Sequence, residues 1–85
     1  MVYVYVLQSA RDGNLYTGCT HELSKRLLLH NSGKVEATRN RVPLRLIYYE
    51  TCLDKRDAFR REKYLKTAYG KRFIKSRCRS YFMGQ

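Results

Sequence analysis

The sequence predicts a small mixed fold of strands and helices that is built on an N-terminal β-hairpin. Residues 2–7 (VYVYVL) and 15–20 (LYTGCT) are rich in β-forming residues, and the Asp-Gly-Asn run at 12–14 is typical of a hairpin turn. Nearly every position of the first strand is apolar or tyrosine, so we expect it to be buried on both faces, as a central strand is. A chain of 85 residues can form one core, so we expect a single domain over residues 1–85.

The stretch after the hairpin predicts a first helix that begins after Thr20 and ends at Gly33. Leu23 and Leu27 are four residues apart and form its buried stripe. Leu28 is expected to widen that stripe. The first helix should therefore pack one leucine-rich face against the sheet.

Three polar residues of this helix, Glu22, Arg26 and His30, are also spaced by four and should share a second face. A carboxylate, a guanidinium and an imidazole placed together could carry chemistry. An ordinary solvated face explains the same spacing, and spacing alone favours that explanation.

A basic loop and a third strand follow the first helix. Residues 34–43 have no clean period and contain the only proline of the chain. Residues 44–51 (LRLIYYET) favour β structure. Strict alternation along this strand predicts one core-facing set, which consists of Leu44, Leu46 and Tyr48.

A second helix is predicted from Lys55 to about Tyr69, with Asp54 as its N-cap and Gly70 as its stop. Its apolar stripe comprises Ala58, Leu65, Ala68 and Tyr69. Glu62 falls within that stripe, and an inward carboxylate is costly unless a cation, a metal or a hydrogen-bond donor meets it. A specific chemical task and a salt bridge to Arg26 or Arg61 explain it equally well.

The net charge of the chain is +11, and much of it lies in the C-terminal third. Residues 54–79 hold 11 Lys and Arg against 3 Asp and Glu, and residues 71–82 predict a short amphipathic helix with a basic outer surface. Such charge favours a polyanionic partner, either nucleic acid or an anionic membrane surface, although it also aids solubility. The candidate phosphate-binding residues are Lys34, Arg39, Arg41, Arg61, Lys66, Lys71, Arg72 and Lys75.

Two further features indicate a cytoplasmic location. No apolar run approaches the roughly 20 residues of a membrane span, and the N-terminus has no secretory pattern, so no membrane partner is expected. Cys19, Cys52 and Cys78 are odd in number and widely spaced, which favours reduced thiols over a disulfide or metal framework.

An ordered set of residues resembles the GIY-YIG nuclease superfamily. The set consists of Tyr3-Val4-Tyr5, Tyr16-Thr17-Gly18, Arg26 ten residues after Tyr16, His30-Asn31 and the inward Glu62. The likeness is greatest to small single-domain bacterial members related to the nuclease domain of the excision-repair C subunit. It extends from Val2 to about Arg77.

The resemblance implies an α+β fold in which a three-stranded antiparallel sheet is flanked by about three helices. It also implies one divalent ion, Mg²⁺ or Mn²⁺, held by Glu62, and a scissile phosphate bound by Arg26. Tyr5 and Tyr16 would lie beside the attacking water, and His30 would lie near the same phosphate.

The chain departs from the family pattern at four positions. Tyr3 stands where the first motif begins with glycine, and Thr17 stands in place of isoleucine. Cys19 occupies a position where some relatives have a lysine. Larger relatives have an asparagine well after the glutamate, and twelve residues past Glu62 this chain has Ile74.

We therefore expect a metal-dependent endonuclease that acts on structured or damaged DNA, as in DNA repair, rather than on a fixed sequence. The general base is open between Tyr5, Tyr16 and His30, of which His30 has the most suitable intrinsic pKa. The alternative is a non-catalytic nucleic-acid-binding module that keeps the nuclease fold. RNA is an alternative substrate, and a protein partner could supply specificity.

Overall fold

The computed structural model describes residues 1–85 and contains three strands and four helices. It confirms the expected α+β class and the three-stranded antiparallel sheet. No helix has the length and apolar character needed to cross a membrane. The elements are β1 (Val2–Ser9), β2 (Leu15–Thr20), α1 (Leu23–Asn31), β3 (Leu44–Cys52), α2 (Lys55–Leu65), α3 (Ala68–Arg77) and α4 (Arg79–Met83).

The strand order is β2-β1-β3, so the hydrophobic first strand is central, as its composition predicts. One face of β1 carries three valines, which pack against α2 and α3. The opposite face carries Tyr5 and Leu7, which pack with Leu23 and Leu27 of α1. The sheet is therefore covered on both sides, and the candidate tyrosine lies on the α1 side.

The pairing of β1 with β3 shifts register between Val6 and Leu7. Val6 pairs with Tyr48 and Leu7 with Leu46, which leaves Ile47 as an extra residue in β3. Tyr48 consequently packs on the valine side, whereas Leu46 packs on the α1 side. The prediction that Leu44, Leu46 and Tyr48 share one face is wrong because this irregularity interrupts the alternation.

Helix α1 ends as predicted, with Gly33 at a φ of 72°, but it begins later than predicted. Its N-cap position is Glu22, and Thr20 lies before the helix, where its hydroxyl accepts a hydrogen bond from the Glu22 N–H at 3.1 Å. Leu28 is 70% exposed, so the expectation that it widens the buried stripe is wrong.

The predicted long second helix is two helices that meet at Thr67. Asp54 caps α2 as expected, and the Thr67 hydroxyl caps α3 by accepting from the Gly70 N–H at 3.1 Å. Gly70 thus lies inside α3 instead of ending a helix. A Cβ there would overlap the backbone of Leu65, so glycine permits the close approach of the two helices. Ala68 and Tyr69 are exposed and do not extend the apolar stripe.

The C-terminal segment also divides in two. The single amphipathic helix expected over residues 71–82 is instead the end of α3 followed by the short α4. Phe73, Cys78 and Phe82 pack against the valine side of the sheet, as the apolar pattern of this segment predicts.

Candidate active site

A chain of hydrogen bonds links the central strand to α1 and to the loop that follows it. The Tyr5 hydroxyl lies 2.8 Å from Nε2 of His30, and Nδ1 of His30 lies 2.7 Å from Oγ1 of Thr38. Tyr5 is 1% exposed, and His30 and Thr38 are fully buried. Burial, aided by the nearby positive charge of Arg26, lowers the pKa of His30 to about 4. His30 is therefore neutral at pH 7.

The burial of His30 corrects one expectation. The sequence predicted His30 on an open polar face, close enough to a phosphate or water to react with it. In the structure its only side-chain hydrogen-bond partners are Tyr5 and Thr38, so it can exchange a proton only through them. Glu22 does not join this group, since it pairs with Lys25 at 3.7 Å.

The low pKa of His30 predicts acid-sensitive folding. The unfolded chain titrates near 6.5 and the folded chain near 4, so the unfolded state binds more protons between these values. The contribution of His30 to the free energy of unfolding should be fully present above pH 6.5 and fall by up to about 3 kcal/mol as the pH drops to 4. Urea unfolding from pH 4 to 7.5 measures this. H21Q should keep the dependence, and H30Q should lose this part of it; an unchanged slope in H30Q would contradict the assignment.

Tyr16 and Arg26 complete a cluster around Tyr5. The Tyr16 ring lies 5.1 Å from the His30 ring and 6.4 Å from the Tyr5 ring, measured between centroids. The Arg26 guanidinium lies close to the Tyr5 and Tyr16 hydroxyls, which raises the pKa of Arg26. Its Nε is nevertheless buried without a hydrogen-bond partner. A buried, unsatisfied guanidinium nitrogen is costly, and an anion placed there would satisfy it.

Gly18 determines where the Tyr5 ring can lie. The two residues pair across β1 and β2, and a Cβ on Gly18 would stand 2.5 Å from the Tyr5 hydroxyl oxygen. The ring of Tyr5 therefore uses the space above a residue that has no side chain. This contact gives the glycine of Tyr16-Thr17-Gly18 a direct role in placing the tyrosine hydroxyl.

We expect G18A to fold but to lose the Tyr5–His30 hydrogen bond, because its methyl group displaces the Tyr5 hydroxyl, and we expect the cleavage that the family resemblance implies to slow about a hundredfold. Single-turnover cleavage measures the loss. G84A is the matched control, since a Cβ at Gly84 meets nothing closer than 3.4 Å. Normal turnover in G18A would show that the position of Tyr5 does not matter.

Glu62 of α2 lies beside the same cluster and pairs with the ammonium of Lys66. Lys66 Nζ lies 2.9 Å from its Oε2, four residues along the helix. Burial and then the Glu62 carboxylate raise the pKa of the Cys19 thiol to about 12. Burial dominates the upward shift in the pKa of Tyr5, and the negative charge of Glu62 adds to it. The sequence left a chemical task and a salt bridge to Arg26 or Arg61 as equal explanations of Glu62. The structure shows a salt bridge, and its partner is Lys66.

The structure brings Tyr5, Tyr16, Arg26 and His30 together, and Glu62 is near enough for its charge to affect Tyr5. Sequence reasoning missed Thr38 and the position of Lys66. The spacing of four between Glu62 and Lys66 is a signal that could have identified the pair. Nothing in the sequence marks Thr38, because it lies in a loop without periodicity.

The candidate phosphate-binding residues fall into two groups. Arg41 is tied to Asp12 at 3.0 Å, and Arg61 is tied to Glu50 at 2.5 Å and stacked on an aromatic ring. The free chain therefore uses these two arginines in internal contacts. The other candidates are exposed, and they are Lys34, Arg39, Lys66, Lys71, Arg72 and Lys75.

Two hollows connect part of this basic surface to Tyr16. The first, of about 280 Å³, is lined by Tyr16, Lys66 and Lys71. The second, of about 580 Å³, is lined by Lys71, Lys75 and Arg41. A basic strip, defined by Lys66, Lys71 and Lys75, thus leads away from the tyrosine cluster.

A family model and two relatives match this chain. A family model described as the GIY-YIG catalytic domain matches residues 1–81. A UPF0213 protein from Bacillus pumilus is 50% identical over 66 residues, which are 76% of this chain and 66% of that protein. A UPF0213 protein from Clostridium perfringens is 46% identical over 67 residues, covering 78% and 71%. The chain spans about two thirds of the length of these curated relatives.

A solved structure is similar as well. The solution NMR structure of a UPF0213 protein from Bacillus halodurans is 36% identical to this chain, with a TM-score of 0.56. The match covers 89% of this chain and 84% of that one.

Proposed function

The chain belongs to the GIY-YIG family, and from that premise we propose that it is a divalent-metal-dependent endonuclease that hydrolyses phosphodiester bonds in DNA. The family supports a nuclease in general terms. The observation that carries the specific proposal is the half-buried Arg26 guanidinium, which lies close to two tyrosine hydroxyls and whose Nε has no hydrogen-bond partner. A phosphate bound by this guanidinium would accept charge-assisted hydrogen bonds from it and neutralise its charge.

The residues present fit one divalent cation. Glu62 already accepts a positive group, the Lys66 ammonium, and its carboxylate offers the hard oxygen donors that Mg²⁺ and Mn²⁺ prefer. No three His, Cys, Asp or Glu residues gather into a ligand cluster, so Glu62 would be the only protein ligand. When bound, the ion polarises the phosphate and stabilises the leaving oxygen.

The Lys66 ammonium competes with a cation for the Glu62 carboxylate, so we expect K66Q to bind divalent ions several-fold more tightly than the unmodified chain. The reason is that the competing ammonium at 2.9 Å is removed. A calorimetric titration with Mn²⁺ in the absence of DNA measures the affinity of the chain for the metal without any cleavage. K63Q is the control on the same helix. Equal affinity in K66Q and the unmodified chain would place the metal elsewhere.

Tyr5 is the group that the geometry favours for orienting the attacking water. Its hydroxyl would donate to Nε2 of the neutral His30, and Nδ1–H of His30 would donate to Thr38, which leaves the phenol oxygen free to accept a hydrogen bond from the water. The low pKa of His30 makes the imidazole a poor final proton acceptor, so we assign His30 the role of holding Tyr5 in place. Tyr16 would position the water from the other side of the cluster.

The basic strip supports DNA as the polymer that is cut. Lys66, Lys71 and Lys75 would contact successive phosphates on one side of the scissile bond. All four helices contribute side chains that pack with the sheet residues, so none of them is a separate element for reading base edges, which supports structured or damaged DNA over a fixed sequence. We further propose a role in DNA repair, a cytoplasmic location consistent with three free cysteines, and a protein partner that adds specificity.

Cleavage of single-stranded, flapped, branched and duplex DNA, and of matched RNA, with Mg²⁺, Mn²⁺ or EDTA tests the proposal. We expect metal-dependent cuts in at least one DNA. Binding without cleavage of any substrate would support the alternative, a nucleic-acid-binding module in which the pair of Glu62 and Lys66 is structural. Cleavage in EDTA would contradict the metal requirement.

A further inference from the structure

A separate hollow of about 560 Å³ opens beside the tyrosine cluster, between the sheet and the first turn of α1. Tyr3 and Tyr49 form its aromatic wall, and residues 21–25 form the remainder. The two rings lie 5.9 Å apart between centroids at an angle of 58°. None of these residues takes part in the proposed cleavage chemistry.

Tyr49 is the most exposed aromatic residue of the sheet. It is 52% exposed, although it lies on the sheet face that α1 covers. A large ring left in water near a site that binds a polymer is typical of a surface that stacks on a ligand. The volume of the hollow, about 560 Å³, is sufficient for one flat aromatic group.

The strand register places this wall next to the catalytic cluster. Tyr49 pairs directly with Tyr5 across β1 and β3, and Tyr3 lies two residues before Tyr5 on the same face. At a rise of about 3.3 Å per residue, Tyr3 stands about 7 Å from Tyr5, which is on the order of one nucleotide step. A base attached next to the scissile phosphate could therefore reach Tyr49.

The polar rim favours a base over a phosphate or an apolar peptide. Glu22 lies at the rim, and its carboxylate would repel a phosphate but accept hydrogen bonds from the amino group of a base. Lys25 also lies in the rim, where it pairs with Glu22 at 3.7 Å. Its ammonium would be available to a phosphate of the nucleic acid next to the bound base. The net charge of +11 favours nucleic acid as the molecule that brings this base.

We propose that the Tyr3–Tyr49 hollow binds one unpaired DNA base next to the bond that Arg26 holds. A base in duplex DNA is stacked on both sides and paired at its edge, so it cannot occupy the hollow without leaving the helix. The hollow thereby selects single-stranded or flapped DNA. This inference rests on the proposed function and specifies its substrate class.

The test uses the full chain without metal, so that binding is measured without cleavage. A single-stranded and a flapped oligonucleotide carry 2-aminopurine at successive positions, and a duplex of the same sequence is the comparison. Fluorescence quenching reports stacking and anisotropy reports affinity. Y49L and Y3L are compared with Y49F, which keeps the ring, and with F59L, which removes an exposed ring on α2.

Y49L should lose the quenching at one position and bind single-stranded and flapped DNA about five- to a hundredfold more weakly, with duplex affinity unchanged. Y3L should show a smaller loss in the same direction, and Y49F and F59L should match the unmodified chain. Unchanged quenching in Y49L and Y3L, or an equal loss on duplex, would overturn this inference and leave the proposed endonuclease intact. Failure of the unmodified chain to bind any DNA would overturn both.

Discussion

Replacement of Glu62 by glutamine should reduce metal-dependent cleavage by at least about a thousandfold while DNA affinity stays equal or rises. Glutamine keeps the shape of the side chain but loses the charge that binds a divalent ion. Loss of one negative charge beside the phosphate removes a repulsion, so binding should not suffer. Single-turnover cleavage at saturating protein measures the first quantity, and anisotropy without metal measures the second.

The matched control is E36Q, which removes the same charge from an exposed glutamate in the loop after α1. Its rate should equal that of the unmodified chain. If E62Q lost affinity as severely as activity, Glu62 would be a structural residue held by Lys66. Equal cleavage by E62Q and the unmodified chain would point to a contaminating nuclease.

Replacement of Arg26 by lysine should slow cleavage by roughly thirty- to a thousandfold, with ground-state binding nearly intact. Lysine keeps the charge and forms helices equally well, so the fold and long-range attraction of DNA should persist. It lacks the planar pair of donors, and the loss of one aligned donor to the transition state costs on the order of 2–4 kcal/mol. Single-turnover rates separate this loss from binding.

R56K is the control for Arg26, because Arg56 is an exposed arginine that pairs with Asp54 at 2.7 Å. Its rate should change by less than about twofold. A near-normal rate in R26K would remove Arg26 from the catalytic group and make it one of several backbone contacts. The buried, unpartnered Nε would then have no functional explanation.

The elements that sequence patterns predicted well are those that depend on local chemistry. The Asp-Gly-Asn turn, the doubly buried first strand and the Asp54 cap are fixed by neighbouring residues, and all three are present. Gly33 and Gly70 show the limit of that reasoning. Both were predicted to end helices, but only Gly33 does, because the need for glycine at position 70 comes from contact with Leu65.

The same limit applies to the candidate site. Helical spacing predicted that Arg26 and His30 share one face of α1, but it could not show that His30 is buried. The burial of His30 depends on the loop after α1, because Thr38 of that loop is itself buried and contacts the imidazole. Pairing of Glu62 with Lys66 instead of Arg26 or Arg61 depends on side-chain direction, and both arginines make other contacts.

The position of Tyr5 in the middle of the central strand has a consequence for how the protein can fluctuate. Sites of chemistry often lie on loops, which open locally at little cost. Here the amide of Tyr5 lies in the central strand, between two paired strands, and the imidazole of His30 is fully buried against it. Solvent exchange at the Tyr5 amide therefore requires disruption of the sheet itself. A substitution that loosens the sheet should consequently speed exchange at this amide and disturb the position of the Tyr5 hydroxyl together.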